Sequence, residues 1–270
     1  MFVSLSAFAE EAAAKIIKAE GTVTAESDSC DSRALARGAD VFAKDSVKTA
    51  ADSFATLRFS DGTVIDLAAS SSMKIRDYAF NDAKPEGDKF SSELLQGGFR
   101  AITGTIGKRS PSEFTSKARL TTLTVRGTGF AAGVTGVAPV ACGPVQTQGS
   151  PLDNVTISVL LDSVDVKLNN MKYPLMAGSN AQTFDLTRGK VSVLKPVADF
   201  KGRGYVFQGT MNDFVKSVKA LPPLTPATTA PVVSNEPPAP AGATGGGAAS
   251  QSPCGTLNAV EGALPPSSKP

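Results

Sequence analysis

At 270 residues, with a net charge of +2 and 41% hydrophobic residues, the chain is long enough to bury the core of one large or two small domains. It has no histidine and no tryptophan, and only 6% of its residues are aromatic. Without imidazole, Ser-His-Asp and Cys-His catalysis, His-ligated zinc and His-based pH sensing are excluded, and scarce aromatics with interspersed charges argue against sugar stacking and against a nucleic-acid partner.

Residues 1–9 are apolar and end in Ala7-Phe8-Ala9, the small-x-small pattern that precedes signal cleavage, with Glu10-Glu11 directly after it. A basic leader is missing and the apolar run is short, so this reads as the end of an export signal whose true start lies upstream. The competing reading is a frayed helix over residues 10–18. No stretch of about 18 apolar residues predicts a membrane-spanning helix. Export places the protein in the periplasm or outside the cell.

From Lys15 to Ala25 apolar residues alternate through Ile17, Ala19, Gly21 and Val23, as on a half-buried strand. A polar loop carries Cys30, then Leu35-x-x-Gly38 leads to a second alternating run through Val41 and Val47. Residues 54–59 and 63–67 flank Ser60-Asp61-Gly62, and Asp-Gly between two β runs predicts a tight hairpin. Residues 73–78 alternate again, and residues 80–89 form a polar loop. The pairs Asp61/Asp66 and Glu86/Asp88 fall in hairpin and loop positions, where solvation is the expectation. Residues 94–102 read as a strand bent at Gly97-Gly98. Residues 112–116 and 120–130 complete the first block.

The stretch Thr124-Val125-Arg126-Gly127-Thr128-Gly129-Phe130 closes that block. Strict alternation puts Leu123, Val125, Gly127 and Gly129 on one face and Thr124, Arg126, Thr128 and Phe130 on the other. Arg126 is then either a docking residue or a guanidinium clamp inside an all-β core, with the clamp favoured. Asp61 or another carboxylate is expected within salt-bridge reach of Arg126. Arg126, Thr128, Arg100 and Asp61 are the candidate structural or docking cluster. Gly97-Gly98, Gly127-x-Gly129 and Gly202-x-Gly204 lack a following helix, so none is read as a phosphate cradle.

Residues 131–151 are rich in small residues and read as an irregular excursion containing Cys142. Alternation returns over 155–168, followed by short runs at 182–186 and 190–194. Residues 210–220, with Asn212 and Asp213 near the start and Phe214, Val215 and Val218 at helical spacing, predict a short helix ended by Pro222-Pro223. Beyond Leu221 the composition turns to Pro, Ala, Gly, Ser and Thr, which predicts a disordered tail. Cys30, Cys142 and Cys254 form no C-x-x-C pair and no metal set. Cys30–Cys142 is the candidate disulfide, because Cys254 falls in the tail, with free thiols as the alternative.

Short strands at about ten-residue spacing, bounded by Gly, Asp or Ser, predict an all-β sandwich or β-roll of antiparallel strands with one short C-terminal helix. The expected division is a signal remnant at 1–14, a β domain at 15–200, a short helix or linker at 201–221 and the tail at 222–270.

The order of Gly21-Thr22-Val23, Leu35-x-x-Gly38, Asp61-Gly62-Thr63 with Ile65 and Leu67, Gly98-Phe99-Arg100 and Val125-Arg126-Gly127-Thr128-x-Phe130 resembles the FecR domain family. The resemblance extends over roughly residues 15–195. It implies an all-β extracytoplasmic domain that binds other proteins and is not an enzyme. In the family's best-known members that domain follows a cytoplasmic anti-sigma segment and a membrane helix; here no such segment is read before Gly21. The expected function is therefore a non-enzymatic sensory or scaffold module of the cell envelope whose partner is another envelope protein. The alternative is a structural, peptidoglycan-associated or surface-assembling protein. No cofactor and no catalytic or metal-binding residue is expected, since neither Gly-x-Ser-x-Gly nor a helical Ser-x-x-Lys is present.

Overall fold

The structure is a computed structural model and describes residues 11–135, 154–168, 171–177, 182–185, 190–193 and 207–224. The first strands are β1 (Ala14–Glu20), β2 (Val23–Glu26), β3 (Ser32–Ala34), β4 (Asp40–Val41), β5 (Ser46–Thr49), β6 (Phe54–Phe59), β7 (Val64–Leu67) and β8 (Ser72–Ala79). They are followed by β9 (Lys89–Ile102), helix α1 (Thr105–Arg109), β10 (Phe114–Ala118), β11 (Thr121–Thr135) and β12 (Asn154–Leu168). The described chain closes with β13 (Met171–Met176), β14 (Gln182–Asp185), β15 (Lys190–Val193) and helix α2 (Met211–Lys219).

The all-β expectation holds, and three long strands organise it. β9, β11 and β12 each cross from one layer to another. In the first layer the order is β3-β2-β5-β8-β9-β10-β11-β12-β13, using residues 89–96 of β9, 121–126 of β11 and 163–168 of β12. In the second it is β4-β1-β6-β7-β9-β11-β12-β14-β15, using 97–102, 129–135 and 154–161 of the same three strands. Each long strand turns where its backbone enters the left-handed region: Gly97 at φ +75°, Gly127 at φ +62° and Asp162 at φ +53°. The predicted bend at Gly97-Gly98 is one of these corners.

Between the layers lies a single core. Phe90 stacks flat on Phe114 at 4.2 Å, Phe59 meets Phe90 edge-on at 4.9 Å, and Phe99 meets Phe130 edge-on at 5.5 Å. The Asp-Gly hairpin is present, with β6 antiparallel to β7 and Gly62 at φ +87°. The strand read from Lys15 to Ala25 is broken at Gly21, also at positive φ, so that β1 and β2 enter different layers.

Four expectations are corrected. The strands are neither uniformly short nor all antiparallel: β9, β11 and β12 run 14, 15 and 15 residues, and β10 pairs parallel to β9. That crossover carries α1, a second helix, which its five-residue length hid from periodicity. β11 runs on to Thr135, so the excursion read from residue 131 begins at least five residues later. The strand read at 112–116 starts at Phe114, after a 3-10 turn at Pro111–Glu113. Residues 1–10, 136–153 and 225–270 lie outside the described residues, and with them the export signal, Cys142, Cys254 and most of the tail. Cys30 is disulfide-bonded.

Candidate functional site

The four residues expected to cluster are placed at three separate sites. Arg100 is a buried clamp. On β9 it faces Asp66 of β7 in register, and its Nε donates to Asp66 Oδ2 at 2.8 Å. Thr56 donates to the other carboxylate oxygen at 2.9 Å. The remaining guanidinium nitrogens donate to the carbonyls of Gln208, Gly209 and Thr210 at 2.5–3.2 Å. Phe207 and Phe214 lie 5.1 and 4.8 Å from the guanidinium carbon. One arginine thus spans the sheet and the segment that launches α2.

That launch is locally encoded. Thr210 caps α2 by accepting from the Asp213 N–H, and Asp213 accepts in return from the Thr210 N–H at 2.9 Å. Met211 and Phe214 bury themselves against Val64, with Ile17, Ile102, Val218 and Leu221 around them. α2 is therefore packed on the outer face of the second layer. A sequence signal existed, since Thr210-x-x-Asp213 is a capping pattern.

Asp61 forms the second site. It is buried, and its carboxylate accepts from the Thr63 N–H at 2.9 Å, the Thr63 hydroxyl at 2.8 Å and the Ile106 N–H at 3.2 Å. Its carbonyl accepts from the Thr105 N–H and its own N–H donates to the Tyr78 hydroxyl. The hairpin turn thereby holds the start of α1. Burial pushes the Asp61 carboxyl above the usual carboxylate range, against those hydrogen bonds. The reading of Asp61, Asp66 and Asp88 as solvated is corrected: each is less than a tenth exposed, and each finds hydrogen-bond donors in the fold. Asp88 accepts from Arg109 Nε at 2.7 Å, and Arg109 also reaches the carbonyls of Asn81 and Asp82 and lies over Phe80. Burial of Asp88 opposes its charge, but the Arg109 and Asn81 donors outweigh it and hold the carboxyl below its usual range. Glu86 alone of the four stays exposed.

Arg126 forms the third site, on the surface. Its carboxylate neighbour is Asp165 of β12, not Asp61, at 2.9 Å, and the arginine side chain is 63% exposed. The register of β11 against β12 shifts between Arg126 and Phe130, around Gly127. That bulge turns Phe130 into the core with Leu123 and Val125, and leaves Arg126 outside, so strict alternation fails at this point. Beside it, Leu161 and Met176 are exposed apolar side chains. Thr128 lies within β11, its side chain outside the described set. The clamp role read for Arg126 is filled by Arg100.

Among the described residues no group of three or more His, Cys, Asp or Glu side chains could hold a metal ion. No described helix is long and apolar enough to cross a membrane.

Residues 45–142 match the family model described as FecR protein. The span begins in the loop before β5 and contains Asp61, Arg100 and Arg126. Two crystal structures of a candidate anti-sigma factor from Parabacteroides distasonis align with 56% of this chain and 60% of theirs, at 16% identity and a TM-score of 0.40. The chain thus spans less than two thirds of those structures. No curated protein matches it.

Proposed function

We propose, from the match of residues 45–142 to the FecR family model, that the chain is a non-enzymatic sensory or signal-transduction module that binds another protein in the cell envelope. The observation that carries this reading is the exposure of Arg126 inside the matched span. An arginine presented by a bulge, held outward by one surface carboxylate and set beside exposed Met176, pairs two residue types enriched at protein interfaces. Its removal costs the body little, because the internal clamps are made by Arg100 and Arg109.

The envelope location draws support from the disulfide at Cys30, since disulfides persist in oxidising compartments. The β body at 15–200 then presents the docking bend, and the tail from 222 supplies reach.

The test is a photo-reactive side chain at position 163, beside Arg126, cross-linked in the native envelope and compared with the same protein carrying Arg126→Ala. A defined protein adduct lost in the variant supports the reading. Adducts to purified sacculi with none to protein favour the wall-associated alternative, and no adduct of either kind removes the docking role of this bend.

A further inference from the structure

The outer face of the first layer carries a row of cations that nothing in the fold uses. Glu93, Lys117, Thr122, Lys167 and Lys172 are successive cross-strand partners on β9, β10, β11, β12 and β13. Partners in register share a face, so these side chains stand in one line. Lys117 lies between buried Ser116 and Ala118, and Lys167 between buried Val166 and Leu168, which fixes that face as the one turned to solvent. Glu93 is taken by Arg76 at 2.6 Å. Among the described residues no carboxylate pairs with Lys117, Lys167 or Lys172, whereas Lys15, Lys18, Lys48, Lys74 and Lys89 each have one. With strands about 4.8 Å apart, the three lysines span roughly 14 Å.

The end of the layer next to this row is apolar. Thr121 pairs with Leu168 and Leu168 with Met171, so the β10–β11 turn and the start of β13 emerge together. There Leu120 is 58% and Met171 61% exposed. Met171 shares the face of its partner Leu168 and the ammonium groups, one register step behind, stand on the other, so apolar and cationic groups flank the tip, an arrangement matched to tip-first entry into a bilayer interface. The apolar pair enters the headgroup boundary at the tip, and the lysines one residue behind it on the outer face reach the phosphates with their flexible stems.

We infer that this tip is a peripheral docking surface for an anionic lipid membrane. Lysine decides between membrane and protein. A fixed carboxylate partner is best met by the planar fork of arginine, and lysine is depleted at protein interfaces. A mobile array of lipid phosphates suits flexible point charges. The row shares a face with Arg126, which lies four residues further along β11 beyond Asp165, and membrane docking goes beyond the protein-binding reading.

The experiment is co-sedimentation of the full chain with vesicles of phosphatidylglycerol and phosphatidylcholine, against vesicles of phosphatidylcholine alone, at low and high salt. Binding is expected only with phosphatidylglycerol, and salt weakens it. Each of Lys117→Gln, Lys167→Gln and Lys172→Gln lowers partitioning by about fivefold. Leu120→Ser with Met171→Ser lowers the part that survives salt. Lys15→Gln, at a paired lysine on β1, leaves binding unchanged, and all variants keep the wild-type melt. Equal sedimentation with both vesicle types, or equal loss with Lys15→Gln, overturns the inference. So does binding to poly-glutamate without binding to vesicles, which assigns the row to an acidic protein.

Discussion

Asp66 and Arg100 face one another across β7 and β9, and the guanidinium that meets this carboxylate also holds three consecutive carbonyls of the α2 approach. The pair's side chains are only 10% and 5% exposed, so solvent does little to screen them. Removing one partner leaves the other charge buried and unpaired. Arg100→Met is expected to cost about 3–5 kcal/mol in urea denaturation. Because the same side chain anchors residues 208–210, amide exchange across Met211–Lys219 should accelerate beyond the global change. A variant that loses stability uniformly, with α2 still protected to the global limit, would show that the helix is held by Met211 and Phe214 alone.

Asp61 gives a pH dependence of defined sign. Its folded carboxyl is pushed above the usual range by burial, so the folded state takes up a proton that the unfolded chain has already released. Between the unfolded value, about 4, and the raised folded one, stability from this group falls as pH rises. Asp61→Asn removes the titration and leaves every other group in place. The urea-midpoint gap between wild type and Asp61→Asn should therefore move in favour of wild type as pH drops through that window, then level off below it. Movement the other way means that the Thr63 and Ile106 donors outweigh desolvation.

Gly97 is the corner of β9, at φ +75°, and a Cβ there would stand 2.7 Å from the Ser70 carbonyl oxygen and the Ser71 Cα. Both the dihedral and the space exclude a side chain, because the Ser71 hydroxyl oxygen is nearer still and the other two close atoms are backbone. Gly97→Ala should destabilise by roughly 1–3 kcal/mol in a chemical melt. Gly38, at φ +91° with open space around it, isolates the dihedral contribution and should suffer less from the same change.

What the sequence disclosed and what it hid follow from the range of the interactions. The Asp61-Gly62 hairpin, the Gly97 corner and the helix before Pro222 are decided within a few residues, and local chemistry announced them. The exchange of roles between Arg100 and Arg126 is different. Burial of Arg100 depends on Gln208 to Phe214, more than a hundred residues along the chain, and exposure of Arg126 depends on a bulge that breaks the period of two. Asp66, flanked by Ile65 and Leu67, looked like a solvated strand residue until Arg100 arrived opposite it. The family match over residues 45–142 contains the Asp61-Gly62-Thr63, Gly98-Phe99-Arg100 and Val125-to-Phe130 carriers of the resemblance, whereas Gly21-Thr22-Val23 and Leu35-x-x-Gly38 fall outside it.

Arg126 and Asp165 separate the two roles an arginine can have on this strand. Their side chains are 63% and 26% exposed, so salt and water screen the pair and ordering the long side chain offsets much of the attraction. Arg126→Ala should change unfolding free energy by less than about 1 kcal/mol, several times below the effect of Arg100→Met. Gly127, at φ +62° beside Lys108, keeps the bulge in either variant, so the strand geometry survives the substitution. Binding behaves oppositely. A partner held at this bend loses its cross-link with Arg126→Ala while the melt stays put, and it keeps the cross-link with Asp165→Asn, which frees the guanidinium without removing it. A large loss of stability with Arg126→Ala would instead make this arginine a second internal clamp and strip the bend of its docking role.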